Sequence, residues 1–507
     1  MKLNRLLLVA SIVLWASVFA SADVQCASIF GDHMVVQRDA HVPVWGTADA
    51  GEEVIVRAGG QTKTTQADSS GKWMVKLDPM QPQDPIAVEI SGKNKIELHD
   101  VLVGDVWLCS GQSNMEFTLR QADNGSEAIA AAEHPNIRLF TVGHKVSNAS
   151  VDSVRGKWEA CSPDTAPNFT AVGYFFGSNL HKDLGVPIGL IESCWGGTLA
   201  EAWTAPAFLE DDADFAPILE RGRKYVAEYP AELARFEEAQ AKAKAENNAQ
   251  ELRRLRKPAS PDANPNLPSV LYNGMIAPLE PFVIKGAIWY QGESNANRGF
   301  QYRKLLPAMI SSWRKNFGEG DFPFLIVQLP EFGRNNPSGV SDWAELREAQ
   351  WLTVTRLPHV GVAVAMGLGD PADIHPKKKE EVGRRLALIA EKTVYGKDVI
   401  DSGPVYKSMQ IDGGAVRLSF DELGGGLETH GQKLEGFTIA GEDKKFVPAD
   451  AKIDGDVVIV EAQSVTHPVA VRYGWENSPT CTLYNKARLP AAPFRTDDWP
   501  ISSENAR

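Results

Sequence analysis

Cysteine is scarce in this chain, long apolar runs are scarcer, and an excess of positive charge is missing. The 507 residues include five cysteines, Cys26, Cys109, Cys161, Cys194 and Cys481, an odd number that implies no disulfide framework. Cys109 and Cys194 each end an apolar, strand-like run, so they are expected as neighbours in one sheet, packed as small buried side chains. Past the N-terminal segment no apolar stretch reaches the ~18 residues of a spanning helix, and stable membrane insertion is not expected. Lys and Arg number 52 against 65 Asp and Glu, a balance that gives no support to nucleic-acid binding. H-E-x-x-H, paired C-x-x-C and Walker A sequences are all missing, so metal and phosphoryl-transfer readings have no signal.

What is present begins with MKLNRLLLVASIVLWASVFASA, in which Lys2 and Arg5 precede an apolar run ending in Ala20, Ser21 and Ala22. This is the pattern of a secretory signal, residues 1–22, cleaved after Ala22. An exported protein, periplasmic or extracellular, is therefore expected. Removing Lys2 and Arg5 leaves 50 basic against 65 acidic side chains in the remainder. That remainder is too long for one compact core, and two or three units are expected.

Residues 23–103 alternate apolar and polar residues in short runs such as EEVIVRA and GKWMVKL between Gly, Asp and Ser turns, which predicts a β-sandwich-like segment. From 104 to about 400 the pattern changes. VWLC, PIGLIES, VIKGAIWY, PFLIVQL and VGVAVAM alternate with helix-like stretches, as in an α/β unit whose parallel sheet is buried on both faces. Within it a helical insertion at about 205–265 contains the Ala-, Glu- and Lys-rich run 229–257, a strong helix former assigned no chemistry. Residues 401–500 return to β character, and the first and last segments are expected to pack together as one composite β unit.

Two similar stretches stand out, WLCSGQSNM at 107–115 and IWYQGESNA at 288–296. Each puts a serine just past a buried strand, where open parallel sheets gather reactive groups. Ser113, Gly196, Gln291 and His375 all follow apolar runs in this way. His375 sits in GLGDPADIHPKKKEE with Asp370 and Asp373 close before it; a carboxylate there could orient the imidazole as a base. Neither serine has the G-x-S-x-G elbow of an α/β-hydrolase, because Met115 and Ala296 replace the second glycine. Gly367, Gly369 and Ala372 spell a dinucleotide fingerprint, but Asp370 and Pro371 stand where the backbone would approach a pyrophosphate, late in the chain.

GDVWLCSGQSNME, VPIGLIESCWGGTLAEAW, LYNGMIAPL, IKGAIWYQGESNA and DIHPKKKEEVGRRLA together resemble the SGNH hydrolases, specifically the sialate O-acetylesterase group of carbohydrate esterases. The resemblance extends over nearly the whole chain past the signal. It implies a flavodoxin-like catalytic domain over 104–400, flanked by N- and C-terminal β segments, that needs no cofactor or metal. It also implies that Ser113 is the nucleophile and His375 the base. Asp373 becomes the orienting acid, with Asp370 as the alternative. The oxyanion donors would be the Ser113 N–H, a glycine N–H at Gly196 or Gly197, with Gly196 preferred, and the Gln291 side chain. Ser294 is left a structural role. The implied substrate is an acetylated glycan or sialic acid; xylan or pectin acetylesterase, a lipase or thioesterase on the same scaffold, and a non-catalytic glycan-binding protein are the alternatives. Trp195, Trp289 and Tyr290 could face a sugar ring or pack in the core. Oligomeric state is not legible.

Overall fold

A computed structural model describes residues 23–336 and 339–506; the expected signal segment lies outside them. The apolar runs form the seven-strand path of an eleven-stranded sheet: β1 (Lys95–Gly111), β2 (His134–Thr141), β3 (Trp158–Cys161), β4 (Ile188–Cys194), β5 (Gly286–Tyr290), β6 (Phe324–Val327) and β7 (Val360–Ala363). Their order is β3-β2-β4-β1-β5-β6-β7. Only β3, at the edge, runs antiparallel to its neighbour. Without the β2–β3 edge the strands follow the order 2-1-3-4-5 of doubly wound sheets, whose ligand crevice opens beside the first strand. Every residue of β4, β5 and β6 is buried, which is why these runs lack alternation.

Two helix pairs cover the faces. One comprises α1 (Ala171–Leu184) and α5 (Lys379–Thr393), the other α3 (Gly299–Phe317) and α4 (Asp342–Arg356). Trp107 of β1 meets Phe176 of α1 with centroids 5.0 Å apart. Ile288 lies opposite Cys109 in register, so Trp289 points to the other face, where it meets Trp313 of α3 at 5.8 Å.

Position 104, where the pattern changes, lies inside a strand. The first part of β1 pairs antiparallel with Ile86–Ser91, and its later part runs parallel to β4 and β5. Core residues of the N-terminal strands consequently merge with those of the α/β block. The C-terminal strands instead form their own core, in which Val416, Leu418, Val458 and Val460 meet Val364 and Met366 just past β7. The expected composite of first and last β segments therefore does not form: each segment has the central block as its partner, because the extended β1 draws one and the end of β7 the other.

The exposed helix α2 spans Ala216–Ala245, with only Ile218 and Ala243 buried, and a short helix follows at Ala249–Arg254. It starts well before 229. Pro230 lies within the helix. Among the described residues no helix is long and apolar enough to cross a membrane.

Candidate active site

Three strand ends meet at Gly111. Its φ of 141° and its approach to the Tyr290 backbone, where a Cβ would come within 2.2 Å of the Tyr290 oxygen, demand glycine. The Gln112 N–H donates to the Tyr290 carbonyl at 3.0 Å, and the Trp195 N–H to the Gly111 carbonyl at 3.2 Å. The chain then turns through the single helical turn Ser113–Glu116.

Ser113 and His375, far apart in sequence, lie side by side, with Oγ 2.8 Å from Nε2. Burial, and next the positive charge of Lys379, push the His375 pKa below its ordinary value, and Asp373 opposes them. A neutral imidazole accepting the serine hydroxyl is the state required of a base. Asp373 accepts the His375 backbone N–H through Oδ1 at 2.9 Å, while Asp370 accepts that of Ala372 at 2.8 Å. Both carboxylates thus cap the histidine turn, and Asp373 is the one whose charge acts on the ring.

Behind this pair lies a buried network that sequence reasoning missed. The Asn114 amide donates to Glu293 Oε1 at 2.5 Å and to the Ile374 carbonyl at 2.9 Å, so it ties the residue after the serine to the residue before the histidine. Lys379 donates to Asn114 Oδ1 and lies over the Phe117 and Tyr290 rings. Burial pushes the Lys379 ammonium down to about 7 and raises the Glu293 carboxyl. The Lys-Lys-Lys run that hides Lys379 reads as a solvated helix start.

On the other side of Ser113, Gly196 is close enough that a Cβ there would come within 3.2 Å of Ser113 Cβ. The Gly196 N–H already has a partner, donating to Glu116 Oε2 at 2.7 Å. Glu116 Oε1 is 3.1 Å from His144 Nε2, and the His144 ring stacks on Trp195 at 4.0 Å with planes 5° apart. The hydrogen bond to Glu116 raises the His144 pKa. Glu116 and His144 carried no signal in the sequence beyond the proximity of Glu116 to the serine.

Gln291, expected as an oxyanion donor, leaves the end of β5 into the interior. Its side chain is fully buried, and its amide donates to the Thr198 carbonyl at 3.1 Å and to Asn295 Oδ1 at 2.7 Å, while its oxygen accepts from the Tyr302 hydroxyl. In the free protein both amide hydrogens of Gln291 thus have internal partners, as the single Gly196 N–H has in Glu116. Asn295 in turn accepts the Ala200 N–H and donates to Glu201, so the second serine stretch anchors the loop that carries Gly196. Ser294 donates its backbone N–H to Gln112 Oε1 at 3.3 Å. Trp289 and Tyr290 are fully buried and present no ring to a sugar, leaving Trp195. The Gly367–Gly369 fingerprint cradles an internal carboxylate: both N–H groups donate to Glu331. Cys109 and Cys194 are free, buried and on adjacent strands, as expected.

A family model described as carbohydrate esterase, sialic acid-specific acetylesterase, matches residues 103–242 and 262–391. The chain belongs to this family. The sialate O-acetylesterases of Rattus norvegicus and Homo sapiens are 31% and 30% identical to it, across 92% and 98% of this chain and 93% and 98% of their own lengths. A carbohydrate acetylesterase from Xanthomonas citri superimposes with a TM-score of 0.81 at 39% identity, covering 94% of this chain and all of that one. The protein is thus an esterase of the carbohydrate class, and its α/β block with a mostly parallel sheet is the scaffold of that activity.

Proposed function

We propose that this esterase is an exported, periplasmic or extracellular, carbohydrate O-acetylesterase that works through an acetyl-serine intermediate on an SGNH-type domain flanked by β segments. The contact of Ser113 Oγ with His375 Nε2 at 2.8 Å carries the reading. His375 takes the Ser113 proton as Oγ attacks the acetyl carbon, and the developing oxyanion is received by the Ser113 and Gly196 backbone N–H groups. His375 then protonates the departing sugar oxygen, and a water activated by the same imidazole releases acetate. Asp373 stabilises the imidazolium that forms in both steps.

An acetylated sialic acid is the proposed substrate, following the names of the family and of the curated relatives. Another acetylated sugar, such as one of xylan or pectin, is the second reading, since the similar Xanthomonas citri protein is named only as a carbohydrate acetylesterase. The test is acetate release by the purified mature chain from acetylated sialic acids, acetyl-xylan and acetylated pectin, with Ser113→Ala as control. Release from none of them overturns the reading, and glycan retention without release makes the protein a binding module.

A further inference from the structure

The Gly196 N–H, which the proposed mechanism gives to the oxyanion, is held in the free protein by the Glu116 carboxylate. No oxyanion can take that hydrogen bond until Glu116 gives it up. The carboxylate is not locked: about a third of the Glu116 side chain is exposed and about two-fifths of His144. Its other oxygen already leans on His144, whose ring continues into Trp195 as a flat, partly exposed ledge beside Ser113. An ionised carboxylate offers acceptors only and exchanges one donor for another at little cost when the new donor is a hydroxyl. A partly acetylated sugar brings such hydroxyls next to its acetyl group, whereas a simple alkyl or aryl acetate brings none.

Resting on the esterase reading above, we propose that Glu116 is a specificity-determining residue: it accepts a free sugar hydroxyl near the scissile acetyl, and in doing so releases the Gly196 N–H to the oxyanion. The Trp195–His144 ledge then flanks the sugar ring, with His144 Nε2 shared between the second carboxylate oxygen at 3.1 Å and the Cys194 carbonyl at 3.0 Å. Substrates without a neighbouring hydroxyl leave Glu116 on Gly196 and meet an oxyanion site short of one donor. Selectivity for hydroxyl-bearing acetates follows from the internal competition and needs no closing lid.

The experiment compares kcat/KM for a mono-O-acetylated monosaccharide with kcat/KM for p-nitrophenyl acetate in the wild-type chain and in Glu116→Ala. Removing the carboxylate abolishes the sugar contact and unmasks Gly196. The sugar-to-aryl ratio is therefore expected to fall by about 10- to 100-fold, the loss one charge-assisted hydrogen bond supplies, with the aryl rate rising. A ratio unchanged between wild type and variant, whether both rates fall together or neither moves, overturns the proposal and makes Glu116 a support for Gly196. Should Glu116→Ala fail to fold, Glu116→Gln carries the test, with an intermediate ratio expected and an unchanged one again overturning. A wild-type chain inactive on both substrates sinks the esterase reading itself, a result distinct from either outcome for Glu116.

Discussion

Ser113 differs from Ser294 in what surrounds it, not in local sequence. One hydroxyl faces an imidazole whose pKa is lowered by burial and by Lys379; the other serine is fixed through its backbone to Gln112. Ser113→Ala should abolish acetate release while Ser294→Ala keeps a substantial rate, and mass spectrometry after fluorophosphonate treatment should find the adduct on the Ser113 peptide. The pH profile follows from the same groups. A lowered His375 pKa keeps the base unprotonated to more acidic pH, so the acid limb of kcat/KM should have its midpoint below the ordinary 6.5. Lys379→Met removes a charge that disfavours imidazolium and should move that limb up. Asp373→Asn removes one that favours it and should move the limb down; a fall in kcat towards about 10⁴-fold would mark Asp373 as the orienting acid of a serine triad, a role its bond to the His375 backbone N–H does not itself supply. Asp370→Asn should be mild. Equal, mild losses from both aspartates would indicate a Ser113–His375 dyad.

At the level of elements, the loop after β4 owes its position to the turn after β5. Gln291 holds Thr198, and Asn295 holds Ala200 and Glu201. Gln291→Ala would strand the Thr198 carbonyl, take one of two donors from Asn295 Oδ1 and leave the Tyr302 hydroxyl only its longer contact with the Gln291 carbonyl, at about 1–3 kcal/mol for a stranded buried group. Urea unfolding should register a loss of that order, together with a lower kcat as Gly196 drifts from Ser113. A variant of native stability with only kcat reduced would return Gln291 to the oxyanion. Ser113, Gly196 and His375, which the structure brings together, could be singled out because each follows a strand at the edge where a parallel sheet collects chemistry. The internal partners of Gln291 could not, because a side chain leaving a strand looks the same whether it ends at a substrate or at Thr198, Asn295 and Tyr302. Glu116, His144 and Lys379 were hidden for a related reason: their partners come from other segments, and in sequence they pass for ordinary surface charges.

Across the whole molecule, the strand patterns revealed that β segments flank an α/β block but not how each is joined to it, since that depends on contacts between distant residues. The C-terminal segment is fastened by groups on α4. Arg347 is fully buried and reaches the carbonyls of Pro330, Gly474, Glu476 and Asn477. Glu345 accepts both backbone N–H groups of Ser502 and Ser503 and the Ser502 hydroxyl, and Arg495 bonds Glu348. The helix so fastened also donates Gln350 Nε2 to the Gln291 carbonyl at 3.0 Å, which links the segment to the loop anchoring Gly196. Arg347→Met removes a buried donor to four carbonyls, of which that of Gly474 is left stranded in the interior, a change that should cost about 1–3 kcal/mol or more. Because the C-terminal strands own a separate core, the loss should fall first on their attachment: limited proteolysis should cleave beyond residue 401 before the α/β block is touched, and kcat should decline with it. If the variant instead unfolds in one step with no early C-terminal cleavage, the two cores act as a single cooperative unit despite their separation, and α4 is not the fastening point.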